Sequence, residues 1–475
     1  MFAQPQSHGL RWRWALSTLT AAGLAATLTV TAPTAAFADP DPADLGPLVT
    51  HTGTAPTGYE VTFRYYDATA TRMQISGEWF FSDAEHSSYS SSEGRTPDQW
   101  KPGDFPLAYP SMVGANGPVT DMVKGSDDIW TYTVPLPSGT FNYYFFKDCL
   151  SNTGSGCTRL SDPANPHWND GPGGGTQQVT SQVYVPSDPS FGTQDLSWQA
   201  PATNQGTLQS ITYPSPGAVQ CGQWCVTGPE EHNATVYLPP GYDPTRATAY
   251  PTLYLLHGAN GHENNWWTES PGGNILDNAI ERGLMQPVVA VSVNWYSIDS
   301  STGTPQPASF YREIHDFVIP YIESHYNVST KASDRALAGL SAGGQRTNYV
   351  LYNDPELFGY YGIFSHSGSY TVTDQNRAAI QSRLGIFIGV GYQDPLYPRS
   401  QTQMASFDTE GIAYVDGNTN GGHDTPVWRA LLWDFVQRVA FRTTKTVAST
   451  DVTGATLTAN AVVAAATKNA AAPTG

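Results

Sequence analysis

The chain contains few charged residues, and basic residues are the scarcer kind. Charged residues make up 13% of its 475 residues, with 23 Lys and Arg against 41 Asp and Glu, for a net charge of −18. No run of Lys or Arg interrupts this acidity. The sequence therefore lacks the basic surface typical of nucleic-acid binding. We expect no nucleic-acid partner, and the sequence leaves the oligomeric state open.

Long hydrophobic runs are also scarce, and the one at the N-terminus is short. Arg11 and Arg13 precede "ALSTLTAAGLAATLTV", which is too short and too rich in small residues for a typical membrane span. The "AFA" at 36–38 has the form of a signal-peptidase site, which predicts a secretory signal over 1–38, cleaved near Ala38. We expect a secreted protein without a membrane span after cleavage; an N-terminal membrane anchor is the alternative. Since no Lys/Arg pair directly precedes the run, the general secretory route is favoured over twin-arginine export.

Cysteine is limited to four residues in two close pairs. Cys149 and Cys157 form one pair in sequence, and Cys221 and Cys225 form the other. Three connectivities are possible in an exported chain, and the local one is the most economical. Neither pair has His or carboxylate neighbours at ligand spacing, so we interpret them as two structural disulfides and predict no metal site.

The residues that are abundant divide the chain into an all-β part and an α/β part. Over 45–188, segments such as "YEVTFRYYDA" and "TFNYYFFKD" are rich in aromatic and β-branched residues and are separated by turn residues. A long polar insertion lies between Ser82 and Asp121. The composition over 189–228 predicts a linker or an irregular arm.

From 229 to 443 the pattern changes to short apolar runs that alternate with helical patterns. "TLYLLHG", "PVVAVSVNW" and "LGIFIGVG" are typical of strands buried on both faces. "SFYREIHDFVIPYIESHY" and "PVWRALLWDFVQRVAF" have helical spacing. This alternation predicts a mostly parallel, doubly covered sheet. The Ala/Thr-rich residues 444–475 are interpreted as a flexible tail, with a weak surface-association element as the alternative.

The motif Gly-x-Ser-x-Gly occurs at Gly339, Ser341 and Gly343. In a chain with 45 Gly, roughly 0.4 matches arise by chance, so the motif alone decides little. Here it lies between a predicted strand, "RALAG", and a predicted helix start. That is the strand–turn–helix context of a nucleophilic serine. The helix N-terminus would direct its N–H groups and partial positive charge toward Ser341.

A nucleophilic serine needs hydrogen-bond donors for the oxyanion. The N–H of Ala342, directly after the serine, is one candidate donor. The second is predicted in the loop after the apolar strand "TLYLL", at Gly258 or Ala259, and the sequence does not choose between them. We expect His257 to hold that loop rather than to transfer protons.

A base and an acid should follow the serine in the order Ser…Asp/Glu…His. Asp394 follows the buried strand "LGIFIGVG", and His423 lies in a glycine-rich loop before a helix. We therefore predict Ser341 as nucleophile, His423 as base and Asp394 as acid. Asp394 could also be an ordinary turn residue. Other residues fit the order or context less well: His366, His315, His325 and Asp424.

The same segments resemble a known family. "VYLPPGYDP", "YPTLYLLHGANGHENNWW", "GLSAGG" and "GGHDTPVWRALLWDF" resemble the esterase-D/antigen-85 group of α/β hydrolases. The likeness covers roughly residues 230–442. It is strongest to carbohydrate esterase family 1, which includes feruloyl and acetyl-xylan esterases, and to enterochelin-esterase-like proteins. The segments "VTFRYYDATATRMQISGEW" and "SDPANP" resemble early-set immunoglobulin-like domains of the family 48 carbohydrate-binding-module type.

This resemblance implies an α/β hydrolase preceded by an all-β immunoglobulin-like sandwich. It also implies a secreted serine esterase that acts on acylated polysaccharides or oligosaccharides without a metal or organic cofactor. Trp266 and Trp267 would then form an aromatic wall for a sugar or feruloyl ring, with a core role for at least one as the alternative. Two rival functions remain: acyl transfer to a sugar or glycerol hydroxyl, as in the antigen-85 branch, and non-catalytic carbohydrate binding.

Overall fold

The structure is a computed structural model in which part of the chain is described. The described ranges are 45–88, 93–107, 119–166, 180–218, 230–298, 306–443, 449–450 and 456–457. The predicted signal peptide and the pair Cys221 and Cys225 lie outside these ranges. Within them, no helix is long and apolar enough to cross a membrane.

The N-terminal part is β-rich and consists of short antiparallel strands. Its strands are β1 Leu48–His51, β2 Tyr59–Tyr66, β3 Met73–Gly77, β4 Phe81–Ser82, β5 Phe105–Pro106, β6 Val119–Asp121, β7 Val123–Lys124, β8 Ile129–Pro135, β9 Gly139–Lys147 and β10 Ser181–Val185. They form a sheet of order β1-β2-β8-β7, a second of order β10-β9-β3-β6, and the small pair β4-β5.

The two larger sheets bury one common apolar cluster. Val61 and Phe63 of β2 contribute from the first sheet, and Ile75 of β3 and Tyr143 of β9 from the second. Each of these side chains is fully buried, and in β2 the buried positions alternate, as a half-buried strand requires. The described residues of this part are therefore β-rich, as the sequence predicted. A disulfide joins two cysteines that follow β9, Cys149 and Cys157.

The described part of the polar insertion is anchored to the β-rich part. Arg95 donates to Asp83 at 2.6 Å and also pairs with Asp104. Trp100 and Leu107 are buried, so this insertion contributes apolar side chains despite its polar composition.

The second part contains one eight-stranded sheet of order β11-β12-β14-β13-β15-β16-β17-β18. The first two strands pair antiparallel, and β12 pairs antiparallel with β14. The remaining strands run parallel. Their bounds are β11 Thr207–Pro214, β12 Glu231–Leu238, β13 Thr252–Leu256, β14 Val289–Val293, β15 Arg335–Leu340, β16 Tyr360–Phe364, β17 Gly385–Gly389 and β18 Val415–Asp416.

Helices cover both faces of this sheet. Along β13, Tyr254 and Leu256 enter one core and Leu253 and Leu255 the other, so alternate side chains face opposite helical layers. Because both faces are buried, the central strands are mostly apolar. The helices are α1 Asn265–Thr268, α2 Gly272–Glu281, α3 Pro307–Glu313, α4 Ile319–His325, α5 Ala342–Asn353, α6 Arg377–Gln381, α7 Tyr397–Thr409 and α8 Thr425–Arg438. A π-helical segment, Ile314–Val318, joins α3 to α4.

The predicted linker arm over 189–228 is corrected by the structure. Its residues Thr207–Pro214 form β11, the edge strand of the large sheet. Only Tyr213 in this strand is fully buried, and most of its other side chains are exposed. An edge strand with one partner can be mostly polar, so its sequence carries no apolar run. In the predicted tail, Ser449–Thr450 (β19) and Thr456–Leu457 (β20) pair antiparallel.

Arg429 of α8 connects the large sheet's helical layer to the N-terminal β-rich part. Its side chain is 1% exposed. The guanidinium donates to Glu78 Oε2 at 3.0 Å and to the carbonyls of Thr140 and Glu269 at 2.5 and 2.6 Å. One buried cation therefore holds α8, the loop after β3 and the start of β9 together.

Replacing Arg429 by Met should remove this connection and destabilise the protein. We expect a loss of about 3 kcal/mol or more in the free energy of unfolding, because Glu78 and two carbonyls lose a buried donor. The matched control is Arg438→Met on the same helix, where the half-buried pair with Asp434 should contribute less than about 1 kcal/mol. Urea unfolding measures both. Equal losses in the two variants would contradict the interpretation.

Candidate active site

Ser341 lies on the turn between β15 and α5. Its φ of 53° and ψ of −115° place it in a backbone region that non-glycine residues seldom adopt. The turn is held because the Ser341 N–H donates to the Phe364 carbonyl at 2.9 Å and its own carbonyl accepts from the Gln345 N–H. Such strain, imposed by surrounding structure, is found at functional turns and lifts this side chain out of the sheet.

The glycines of the motif allow the backbone to pack closely around the turn. A Cβ on Gly343 would lie 2.5 Å from the His257 carbonyl oxygen and 2.7 Å from that of Leu256. A Cβ on Gly339 would lie 2.6 Å from the Gly343 backbone. Helix α5 therefore begins directly against the end of β13, which only glycine permits.

The three residues predicted as a triad form a continuous hydrogen-bonded chain. His423 Nε2 lies 2.9 Å from Ser341 Oγ, and His423 Nδ1 lies 2.8 Å from Asp394 Oδ2. The carboxylate is fully buried and also accepts from the Leu396 N–H at 2.7 Å, whereas the imidazole is 28% exposed. With Nδ1–H donating to Asp394, Nε2 is left to accept the proton of the Ser341 hydroxyl.

Two loops at the carboxyl edge of the sheet bring Asp394 and His423 together. Gly391 and Thr419 form a β-bridge. Gln393 donates its N–H to Gly421, and Gly421 donates its N–H to the Gln393 side chain at 2.7 Å. The acid loop after β17 and the histidine loop after β18 are thus bonded side by side, which aligns the imidazole with the carboxylate.

The predicted oxyanion donors lie beside the serine. Because β13 and β15 are adjacent and parallel, the loop after β13 meets the turn after β15. A Cβ on Gly258 would lie 3.4 Å from Ser341 Cβ. Among the described residues, the N–H groups of Gly258, Ala259 and Ala342 donate no hydrogen bond. All three are therefore available to a ligand oxygen, and the choice between Gly258 and Ala259 stays open.

His257 is buried below this loop. Its Nδ1 lies 2.8 Å from the Gly258 carbonyl oxygen, and its ring stacks on Trp295 with centroids 4.7 Å apart. Burial lowers the pKa of His257 to about 3, so the ring stays neutral. These contacts fit the expected role of holding the loop.

The other residues considered from sequence occupy places outside the hydrogen-bonded chain. His366 is buried, and burial lowers its pKa to about 4. Asp424 caps α8 by accepting from the Val427 N–H. His315 and His325 are exposed, and His315 lies 2.6 Å from the Asp316 carboxylate.

The predicted aromatic wall of Trp266 and Trp267 is wrong. These side chains are 1% and 5% exposed and belong to the core between α1, α2, α8 and the sheet. Trp266 packs edge-on against Phe364, and Trp267 stacks on Tyr237. The cleft that Trp267 borders includes none of the triad residues. Helix α1 packs against the sheet and turns both rings inward, so the alternative of a core role holds.

One residue beside His423 was missed by sequence reasoning. The Trp428 ring meets the His423 ring edge-on at 5.1 Å, and its Nε1 donates to Ser365 Oγ at 3.2 Å. It is partly exposed on the first turns of α8. The available signal was the position of Trp428, five residues after His423. In the sequence, this tryptophan was assigned only to the helical pattern of α8.

Ser341 lies on a strand–turn–helix, and Asp394 and His423 lie on later loops of a mostly parallel sheet. This arrangement is that of an α/β hydrolase fold. The comparison with protein families agrees: residues 227–439 match the family described as "Putative esterase". This match spans less than half of the chain, and the matched segment is similar to that esterase family. The resemblance predicted from the motifs is thereby confirmed.

Relatives and solved structures were also found. The chain is 27% identical over 331 residues to an endo-1,4-beta-xylanase/feruloyl esterase of Xylanibacter ruminicola, covering 67% of this chain and 41% of that protein. It is 26% identical over 200 residues to the iron(III) enterobactin esterase of Escherichia coli, covering 38% of this chain and 48% of that protein. The chain thus spans less than half the length of these two relatives. A ferulic acid esterase structure from Anaeromyces mucronatus is 21% identical with a TM-score of 0.44. The match covers 52% of this chain and 96% of that one.

Replacing Gly343 by Ala should displace the nucleophile turn. The new methyl group meets two backbone carbonyls, so we expect a loss of about 1–3 kcal/mol in stability and slower labelling of Ser341 by a fluorophosphonate. Gly273→Ala is the matched control. It is also the second residue of its helix, but a Cβ there meets nothing within 4 Å. Wild-type stability and labelling in Gly343→Ala would contradict the steric interpretation.

The buried carboxyl group of Glu263 should make the stability of the protein depend on pH. It is 5% exposed, accepts from Asn294 at 2.9 Å, and burial raises its pKa to about 7. A carboxyl group whose pKa is raised on folding stabilises the protein at low pH, and this stabilisation is lost as the pH rises through about 7.

The stability of the wild type relative to Glu263→Gln should therefore fall by up to about 3 kcal/mol between pH 5 and 8. Urea midpoints measured across this range test it. Glu281→Gln, at the exposed end of α2, controls for the loss of one carboxylate. Parallel pH profiles for the wild type and Glu263→Gln would show that Glu263 is not the responsible group.

Proposed function

We propose that this protein is a serine carboxylic-ester hydrolase with Ser341 as nucleophile, His423 as base and Asp394 as orienting acid. The observation that carries the proposal is the chain of hydrogen bonds of 2.9 and 2.8 Å from Ser341 through His423 to the fully buried Asp394. A serine hydroxyl becomes an effective nucleophile when a positioned base takes its proton.

In the first half of the reaction, Ser341 Oγ attacks the ester carbonyl carbon while His423 Nε2 accepts the hydroxyl proton. The tetrahedral oxyanion receives hydrogen bonds from the Ala342 N–H and from the N–H of Gly258 or Ala259. The C–O bond to the alcohol then breaks, and His423 gives its proton to the departing alkoxide. The acyl group remains esterified to Ser341.

In the second half, water replaces the alcohol. His423 removes a proton from the water as it attacks the acyl carbon, and a second tetrahedral intermediate forms in the same oxyanion site. Its collapse releases the carboxylic acid and returns the proton to Ser341. Asp394 keeps the imidazole in one tautomer and stabilises its protonated form. The protein's own groups account for each proton, so the proposed reaction uses no metal or organic cofactor.

For the substrate we propose acylated carbohydrate, with feruloyl or acetyl esters as the acyl groups. The support is the relative named as a xylanase and feruloyl esterase, which matches over 67% of this chain. We further propose that the β-rich N-terminal part is an immunoglobulin-like sandwich similar to family 48 carbohydrate-binding modules. The signal-like segment over 1–38 supports export to the cell exterior, where such polymers occur.

The catalytic assignment predicts that Ser341→Ala lowers kcat on p-nitrophenyl acetate by about 10³-fold or more. Asp394→Asn should lower it by about 10⁴-fold, because the carboxylate no longer sets the tautomer of His423. Ser382→Ala, on the exposed end of α6, is the control and should keep wild-type turnover. Unchanged turnover in Ser341→Ala would overturn the proposal.

The substrate assignment is tested by product analysis. Methyl ferulate, acetylated xylan and p-nitrophenyl esters of increasing chain length are incubated with the wild type, in the presence and absence of glycerol or trehalose. We expect free ferulate and acetate. Hydrolysis of long acyl chains alone would overturn the carbohydrate-ester assignment, and acylated glycerol or trehalose as the main product would identify an acyltransferase instead.

A further inference from the structure

A buried arginine lies directly behind the nucleophile turn. Arg346, on the first turns of α5, is 1% exposed. Its Nη1 donates to the Ala342 carbonyl at 2.9 Å, and its guanidinium carbon lies 3.5 Å from the centroid of the Trp295 ring. Arg346 thus contacts the residue that supplies one proposed oxyanion donor and an aromatic ring from the segment that follows β14.

Trp295 in turn holds the peptide group that carries the N–H of Gly258, one of the two candidates for the second oxyanion donor. Its Nε1 donates to the His257 carbonyl at 2.9 Å, and its ring stacks on the His257 ring at an interplanar angle of 12°. The carbonyl of His257 belongs to the same peptide group as the N–H of Gly258. The orientation of the Trp295 ring therefore sets the direction of that N–H.

These contacts connect both sides of the oxyanion site through one side chain. Arg346 reaches Ala342 on α5 and, through Trp295 and His257, Gly258 in the loop after β13. Burial lowers the pKa of Arg346 to about 10, so the group remains a cation at neutral pH. A desolvated cation over an indole ring is a strong contact, and a planar guanidinium stacks on the ring in a way that an ammonium does not.

We propose that Arg346 is a positioning residue for the oxyanion site, which fixes the Gly258 N–H relative to the Ala342 N–H by stacking on Trp295. The inference rests on the proposed esterase function and deepens it. Arg346 touches neither the nucleophile nor the reacting carbonyl; it acts on the Ala342 carbonyl, one peptide beyond the Ala342 N–H, and through Trp295 on the peptide that carries the Gly258 N–H. Its loss should therefore weaken binding of the tetrahedral transition state more than binding of the ester.

The test compares Arg346→Met and Arg346→Lys with a matched control in the full chain. Arg346→Met should lower kcat on p-nitrophenyl acetate by about 10- to 100-fold with KM changed less than about 2-fold. Arg346→Lys keeps the charge but not the planar stacking, and should recover only part of the loss.

The control is Arg335→Met. Arg335 is also buried and donates to the carbonyls of Leu357 and Thr330 at 3.2 and 2.8 Å. It lies at the amino end of β15, at the opposite end from Ser341. This variant should lose stability but keep its kcat at temperatures where it is folded.

A readout independent of turnover is the affinity of phenylboronic acid, measured by calorimetry. Boronates form a tetrahedral adduct with an active serine and resemble the oxyanion intermediate. The Kd should rise in Arg346→Met by about the factor by which kcat falls, whereas inhibition by free ferulate should stay unchanged. Arg335→Met should bind the boronate as the wild type does.

A double-mutant cycle tests the route through Trp295. Arg346→Met and Trp295→Phe act on the same peptide, so the double variant should lose little more kcat than the worse single variant. If the kcat losses of the two single variants multiply in the double variant, the proposed route through Trp295 is wrong.

The outcomes separate the inference from the function on which it rests. If the wild type hydrolyses esters and Arg346→Met behaves like Arg335→Met, losing only stability, the positioning role is wrong and the esterase function stands. If the wild type hydrolyses none of the esters but its boronate affinity depends on Arg346, the esterase function is wrong and the positioning role stands. If the wild type hydrolyses none of the esters and its boronate affinity does not depend on Arg346, both the esterase function and the positioning role are wrong.

Discussion

The site depends on one close approach, that of the start of α5 to the end of β13. The Gly343 backbone packs against the carbonyls of Leu256 and His257, leaving no room for a side chain. This contact forces Ser341 into its unusual backbone conformation and places the loop at Gly258 beside it. The proposed nucleophile and the proposed oxyanion donors are thus positioned by backbone packing, which costs no reorganisation during a reaction.

The proposed base, His423, depends on a second set of contacts that reaches outside the large sheet. His423 is aligned by the bonded loops at Gly391 and Gly421 and lies just before α8. Arg429 joins that helix to Glu78 and Thr140 of the N-terminal β-rich part. Near the same loop, a Cβ on Gly422 would lie 3.7 Å from Leu107 of the polar insertion. The β-rich part therefore supports the histidine side of the site.

Much of the architecture is predictable because local patterns reflect burial. Strands covered on both faces, such as β13 and β17, are mostly apolar, and their positions are evident from sequence. The position of the edge strand Thr207–Pro214 is not evident from sequence. This strand has one partner strand and is mostly exposed, so its residues can be polar. The wrong assignment of Trp266 and Trp267 has a related cause: proximity to the oxyanion loop in sequence does not show which way a short helix turns its side chains.

The sequence by itself determined the order of the chemical groups: a Gly-x-Ser-x-Gly turn, then an aspartate and a histidine, each after a predicted strand. That order follows from chain connectivity, since parallel strands deliver their carboxyl ends to one edge. Only the tertiary structure decided the distances between those groups and revealed the contacts behind them. Arg346, Trp295 and His257 come from three separate segments, and their stacking depends on how α5, β14 and β13 pack together, which no local pattern records.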